Sequence, residues 1–277
     1  MNPKFWNRYT TLQIGNKIIT SNDLDIYFNV KTDTKGTADI AEVSIFNLSD
    51  TTKQSIYQGM RVNLRAGYKD DYGTIFIGEV DEMEDESDGA DIKTTITCLS
   101  DMKKFFGKTM NKTYPAGTKL VDIAKDQIQF AGITVFKIDD NPKTIERAVS
   151  LTSATNLGTN LTQIAEMLDY TLTERRGSVL LVKKTGGVAE GFVLNSDTGL
   201  LEVKSVLKRF EGEKAQTAEN TPEYHFEIKS LLIYNLAQGS IIDLDSKTAG
   251  KKLCRVESCE FVSNQQVHIT NMKLKIL

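Results

Sequence analysis

Only two imidazoles are available for acid–base work in this 277-residue chain, His225 and His268. Histidine is the side chain whose ordinary pKa suits proton transfer near neutrality. Both fall in stretches that read as strands, and no G-x-S-x-G turn is present to offer a serine nucleophile. His225 therefore reads as a strand residue at a surface or interface. Cys254, Cys259 and His268 are conceivable zinc ligands. C-x4-C along one strand is a poor spacing, however, because residues five apart project to opposite faces; ordinary packing is the simpler account. The sequence has no P-loop, no G-x-G-x-x-G after a strand and no H-E-x-x-H. Carboxylates are plentiful, but no spacing singles out a glycosidase pair. The chain is read as a non-enzyme, with no catalytic, cofactor or metal residues expected.

Charge is concentrated in one place. Residues 79–91, EVDEMEDESDGAD, hold eight acids in thirteen residues and no base. Such a block repels itself and reads as a solvated strand end and hairpin loop. It lacks the D-x-[DN]-x-[DN]-G order of a calcium loop. Glu79, Asp81, Glu82, Glu84, Asp85 and Glu86 are candidates to line a lumen or an interface between subunits. The basic pairs Lys103-Lys104, Arg175-Arg176, Lys183-Lys184 and Lys251-Lys252 sit near turns and read as solvated surface. Only Phe105-Phe106 supplies aromatics beside such a pair, which is thin support for base stacking.

The composition bounds the alternatives. Net charge is −3, so the chain as a whole has no drive toward nucleic acid or anionic membrane. No apolar run approaches the length of a membrane span, and residues 1–17 lack the apolar core of a secretory signal. Three scattered cysteines argue against a disulfide framework and for folding in a reducing compartment. Hydrophobic residues at 40% and charged residues at 26% fit a globular protein. Twenty-nine threonines lean the composition toward β.

The elements that must position these residues are mostly strands. Leu24, Ile26, Phe28 and Val30 alternate with polar residues, as do Ala41, Val43 and Ile45. A short helix begins at Ser49 or Asp50 and stops by Gly59. Strands follow at Val62 to Tyr68, Ile75 to Val80 and Ile92 to Leu99. The middle changes character. Thr118 caps a helix that Gly132 closes. A second helix starts from Asn160 with Leu161, Ile164, Ala165 and Leu168 on one face. A hairpin turns at Arg175-Arg176-Gly177, and Gly186-Gly187 ends the unit. Strands return at Tyr224 to Ile228, Ile242 to Leu244, Leu253 to Phe261 and Val267 to Ile276. Residues 211–222 read as an exposed loop.

The two β regions share an order of features. Gln58-Gly59 precedes Val62 and Leu64, and Gln238-Gly239 precedes Ile242 and Leu244. Downstream, Glu79-Val80-Asp81 matches Val256-Glu257-Ser258, and a closing strand follows each. A duplicated unit would let three chains close a ring of quasi-sixfold character.

Several segments resemble a known family. They are Asn195-Ser196-Asp197-Thr198-Gly199-Leu200-Leu201, then Ser230 to Ser246 (SLLIYNLAQGSIIDLDS), and in the first half Ala41 to Ser49 (AEVSIFNLS), Gly59 to Tyr68 and Gly73 to Gly78 (GTIFIG). Their order is similar to that of baseplate hub proteins of tailed bacteriophages and phage-tail-like bacteriocins. Family members often carry Gly-Ser-Pro after the D-T-G-L turn, where this chain has Glu202-Val203-Lys204. They also often carry a proline before the later glycine, where this chain has Ala237-Gln238.

The resemblance implies a mainly β (α+β) chain: two tail-tube-like β-barrel domains, residues 1–106 and 190–277, with a small α/β domain, residues 107–189, between them. It implies a homotrimeric ring at the distal end of a tail, in a virion assembled in the bacterial cytoplasm. The implied partners are a tail tube or distal tail protein, a tape-measure protein and a spike or tip protein, with DNA passing through unbound. The alternatives are a tail-associated wall hydrolase, a glycan-binding protein hinted at by the LysM-like stretch Thr118 to Gly132, and a DNA-binding barrel.

Overall fold

The structure is a computed structural model and describes residues 5–33, 38–152, 154, 156–206 and 224–277. The loop expected at 211–222 lies outside them. The first β region contributes β1 (Arg8–Ile14), β2 (Lys17–Thr20), β3 (Ile26–Asp33) and β4 (Ile40–Phe46). Helix α1 (Asp50–Gln54) precedes β5 (Arg61–Tyr68), β6 (Asp71–Asp88) and β7 (Asp91–Ser100). The middle holds α2 (Lys103–Gly107), β8 (Lys112–Tyr114), α3 (Leu120–Ala131), β9 (Thr134–Ile138), β10 (Val149–Leu151), α4 (Leu157–Leu168), β11 (Tyr170–Arg175) and β12 (Ser178–Lys183). The last region is β13 (Val188–Leu194), β14 (Leu200–Ser205), β15 (Phe226–Leu231), β16 (Ser240–Ser246), β17 (Gly250–Ser263) and β18 (His268–Ile276).

Local chemistry explains the boundaries. Ser49 accepts from the Thr52 N–H and caps α1, which is closed at Ser55, four residues before Gly59. Gly132, with φ +77°, ends α3 as expected. The expected cap of α4 is corrected by one turn. Asn156, not Asn160, accepts from the Thr159 N–H, and the added turn buries Leu157 and Gly158. The β11–β12 turn uses positive φ at Arg176 and Gly177, the twist that a two-residue hairpin requires.

The chain is mainly β, and its two β regions are continuous. A 13-stranded sheet runs β14-β15-β18-β17-β3-β4-β7-β6-β5-β1-β2, with β13 and β16 branching from β17. Among the described residues the path is open at β14 and β2, so within one chain the sheet does not close into two separate barrels. Both regions feed one apolar core, from Leu12, Val43, Leu64 and Ile96 to Phe261, Met272 and Leu274. The middle has its own core around Phe105, Val121, Ile128, Leu161 and Val179.

The suspected repeat is built into the hydrogen bonds. The neighbour order β3-β4-β7-β6-β5 recurs as β14-β15-β18-β17-β16. Gly59 N–H donates to Val80 O at 2.8 Å, and Gly239 N–H donates to Val256 O at 2.8 Å. A bulge follows each acceptor, at Val80/Glu82 and at Val256/Ser258. Val80 thus matches Val256, which corrects the expected alignment by one residue.

Candidate functional site

Alternation along the registers assigns each sheet residue to the core or to the opposite, polar face. One row of that face reads Glu82–Thr97–Glu42–Asn29–Val262–Ile269–Leu231, polar in the first β region and apolar in the last. Beside it runs Glu79–Leu99–Ile40–Lys31–Glu260–Asn271–Lys229–Glu202. This face spans both β regions without a break. It is the surface best placed to meet a large partner.

The six candidate acids divide among three surroundings. Glu82, Glu84 and Glu86 project from the polar face, and Lys93 reaches Glu86 at 3.3 Å. Glu79 and Asp81 turn to the middle unit, where Lys104 lies 2.9 Å from Glu79 and Lys103 lies 3.2 Å from Asp81. Asp85 faces the other way. The Thr94 hydroxyl donates to it at 2.6 Å and Lys53 at 3.0 Å, and together they hold its carboxyl below the usual carboxylate range. The block is the exposed end of β6 and its hairpin, as its charge pattern predicts, and the turn falls at Gly89-Ala90.

Beneath the middle unit lies a polar knot absent from the sequence reading. Arg175 is buried, pairs with Glu190, and reaches Ser240 Oγ at 3.4 Å. Arg176 donates to the Tyr234 carbonyl, and burial pulls its pKa down to about 10. This pair was expected to be solvated. Instead the hairpin drives it into the seam between β12 and the last β region. Gln238 donates to Asp39 at 2.9 Å and to the Glu174 carbonyl. The buried Glu174 carboxylate accepts from the Met102 N–H at 2.8 Å, and burial raises its pKa. Arg61 meets Asp101 at 2.6 Å, and Arg255 holds Glu257 with two nitrogens at 2.8 and 2.9 Å. These pairs tie the middle unit to both β regions, and breaking one of the buried ones would leave an uncompensated charge.

A cleft of about 900 Å³ opens between the middle unit and the sheet, lined by Lys31, Glu166, Lys204, Glu227, Arg255 and Glu260 among others. Two of its carboxylates are engaged: Glu260 accepts from Asn271 at 3.0 Å, and Glu227 accepts from Lys204 at 3.0 Å and from Tyr224. The Lys204 and Tyr224 bonds lower the Glu227 pKa, opposite to the shift a glycosidase acid needs.

The zinc candidates do not converge. The bulge at Val256/Ser258 adds a residue, so Cys254 and Cys259 both enter the core rather than opposite faces. Burial pushes their thiols up to about 11 and about 12, so neither is a ready thiolate. The His268 ring joins Ser263 Oγ at 2.9 Å and Gly67 O at 2.8 Å. His225 Nδ1 accepts from the Ile276 N–H at 3.1 Å. Among the described residues no group of three or more His, Cys, Asp or Glu is arranged to hold a metal, and no helix is long and apolar enough to cross a membrane.

Solved tail proteins of low sequence identity share this fold. The prophage MuSo2 43 kDa tail protein from Shewanella oneidensis superposes with a TM-score of 0.69 at 11% identity, over 97% of each chain. A tail protein from Neisseria meningitidis gives 0.68 at 11% identity, over 98% of this chain and 97% of that one. The E. coli c3393 protein, a type VI secretion component similar in structure to the T4 tail proteins gp27 and gp5, gives 0.65 at 10% identity over 96% and 76%. No curated protein matches the sequence. The family model for baseplate hub gp41 matches residues 9–207, and the chain belongs to that family of phage tail proteins.

Proposed function

We propose that three copies of this chain form the ring of a tail baseplate hub. Residues 1–106 and 190–277 act as two tube-like β units, and residues 107–189 form a small domain on their seam. The ring joins the tail tube or distal tail protein, on the side of the tape-measure protein, to a central spike or tip. It opens to let DNA through, within a virion tail assembled in the host cytoplasm, and it carries out no catalysis. The observation that supports this most is the repeat of neighbour order, glycine turn and bulge in two units of one sheet. Two near-equivalent units per chain turn threefold symmetry into quasi-sixfold symmetry. The part of the polar face that the middle unit leaves open is then the channel wall. The acids Glu42, Glu82, Glu84 and Glu86 gather around Lys93 toward the β6–β7 hairpin, and that local cluster repels the DNA backbone.

Electron microscopy of the purified chain at high concentration tests this reading. The expected result is a threefold ring with a central opening wide enough for duplex DNA. A closed particle of another symmetry, or a tail in which the chain lies away from the axis, overturns it.

A further inference from the structure

One join between the two units is already made inside the chain, and its counterpart is open. Beyond its bulge, β17 carries β3 on its free edge, in the register Ser263↔Phe28, Val262↔Asn29 and Phe261↔Val30. The matching stretch of β6, Glu82–Asp88, is hydrogen-bonded on one side to β7 and on the other to no described strand. It is exposed apart from Met83, which is half-buried. The counterpart of β3 in the second unit is β14. It pairs with β15 on one side, has no described strand on the other, and is largely exposed. Six strands separate β14 from β6 along the sheet of one chain.

Resting on the ring reading above, we infer that β14 of one copy adds antiparallel to Glu82–Asp88 of the next copy, repeating between chains the β17–β3 join made within each. The register follows from the repeat. Matching the bulges equates Ser263, Val262 and Phe261 with Ser87, Glu86 and Asp85. Matching partners across β4 and β15 equates Phe28, Asn29 and Val30 with Val203, Lys204 and Ser205. The join is therefore Ser87↔Val203, Glu86↔Lys204 and Asp85↔Ser205.

The chemistry fits that register. Lys204 lies 3.0 Å from Glu227, and Lys93 lies 3.3 Å from Glu86. The join connects these pairs into one polar row, Lys93–Glu86–Lys204–Glu227–Lys273, alternating in charge across the subunit boundary. Val203, packed against the apolar core, meets Ser87 on the core side. The internal join follows the same rule, with Glu260 opposite Lys31. The acids also select the partner. Two β6 edges brought together would set acid against acid, so the edge refuses its own copy and accepts β14. Such a head-to-tail contact generates a ring when its rotation closes.

Cysteine pairing in the full chain tests the register. Glu86→Cys in one copy is co-expressed with Lys204→Cys in another, and Asp85→Cys with Ser205→Cys. Neighbouring pairs alternate between hydrogen-bonded and non-hydrogen-bonded sites, so one of the two sets has the closer side chains. The control is Glu82→Cys with Lys204→Cys, four residues out of register. The native cysteines are buried in the core and stay silent. The expected result is a crosslinked two-chain product at about tenfold the control level, since a disulfide needs Cα atoms within about 7 Å. Size is read on the reduced proteins by light scattering. A reduced trimer whose crosslinks match only the control overturns the join and leaves the ring standing. Chains that remain single in solution and in assembled tails overturn the ring, and the join with it.

Discussion

The two β units share one hydrogen-bond skeleton and live in opposite surroundings. Gly59 and Gly239 both turn at positive φ, and both donate to the valine before a bulge. Yet Gln58 is exposed, whereas Gln238 is buried under the middle unit. Past the bulge β17 carries β3, while β6 ends in solvent. Ile92, opposite Ser87, is exposed; its counterpart His268, opposite Ser263, is buried. Backbone geometry thus defines the unit, and whatever docks on each copy defines its side chains.

The largest expected break between the units is acid sensitivity. Burial lowers the His268 pKa from 6.5 to about 4, and its ring is held neutral between Ser263 and Gly67. The unfolded chain binds the proton more readily, so stability is complete above about pH 6.5 and falls as the pH drops toward 4. The loss is roughly 3 kcal/mol across that window. Denaturant midpoints measured from pH 7 to 4 should show this slope, and His268→Gln should flatten it. An unchanged slope in the variant would remove His268 as the cause.

Next in size is the glycine turn. Alanine at either position meets the positive-φ cost of about 1 kcal/mol. At Gly59 the added carbon meets open space, whereas at Gly239 it runs into the Leu180 side chain. Gly239→Ala should therefore cost about 2 kcal/mol and Gly59→Ala about 1, read as shifts in denaturant midpoint. The neighbouring glutamines sharpen the contrast. Gln238→Ala removes the donor to Asp39 and to the Glu174 carbonyl, at about 1.5 kcal/mol. Gln58→Ala, on the surface, should stay within about 0.5. Equal costs at the two glutamines would mean that the knot does not anchor the middle unit.

Much of this skeleton is readable in the sequence, because alternation reports burial. Ala41, Val43 and Ile45 face the core as their spacing requires. The hairpin β1–β2 carries the same signal in Leu12 and Ile14, with Gly15 at its turn, but the polar N-terminal residues around it mask the alternation. Helix α4 begins one turn before the expected Asn160 cap, at Asn156, where the extra turn buries Leu157. Other features have no local signal. A bulge changes which face a cysteine takes without changing composition. Arg175 and Glu190, or Gln238 and Asp39, meet only after the seam has closed. The continuity of the sheet through β17 and β3 joins residues far apart in the chain. For the acid block, the like charges predicted a solvated strand end and hairpin loop, and the cross-strand partners Lys93, Thr94 and Thr95 carry the strand as far as Asp88.

The smallest expected effect bears most directly on the open join. Glu84 and Glu260 occupy matching positions on the polar face. Glu260 sits inside the completed join, opposite Lys31 and accepting from Asn271. Glu84 sits at the open edge, opposite Thr95 and exposed to water. In the isolated chain Glu260→Ala should cost about 0.5–1 kcal/mol, and Glu84→Ala less than about 0.5. Assembly should change the ranking. If β14 of a neighbour covers the edge, Glu84 gains a second cross-strand neighbour as Glu260 has, with Val206 in the place of Lys31. Its substitution should then alter the dissociation midpoint of the ring while leaving the unfolding of the single chain where it was. A Glu84→Ala effect of equal size in both measurements would mean that this edge gains no neighbour on assembly, and that the two units stay unlike in the particle as they are in the chain.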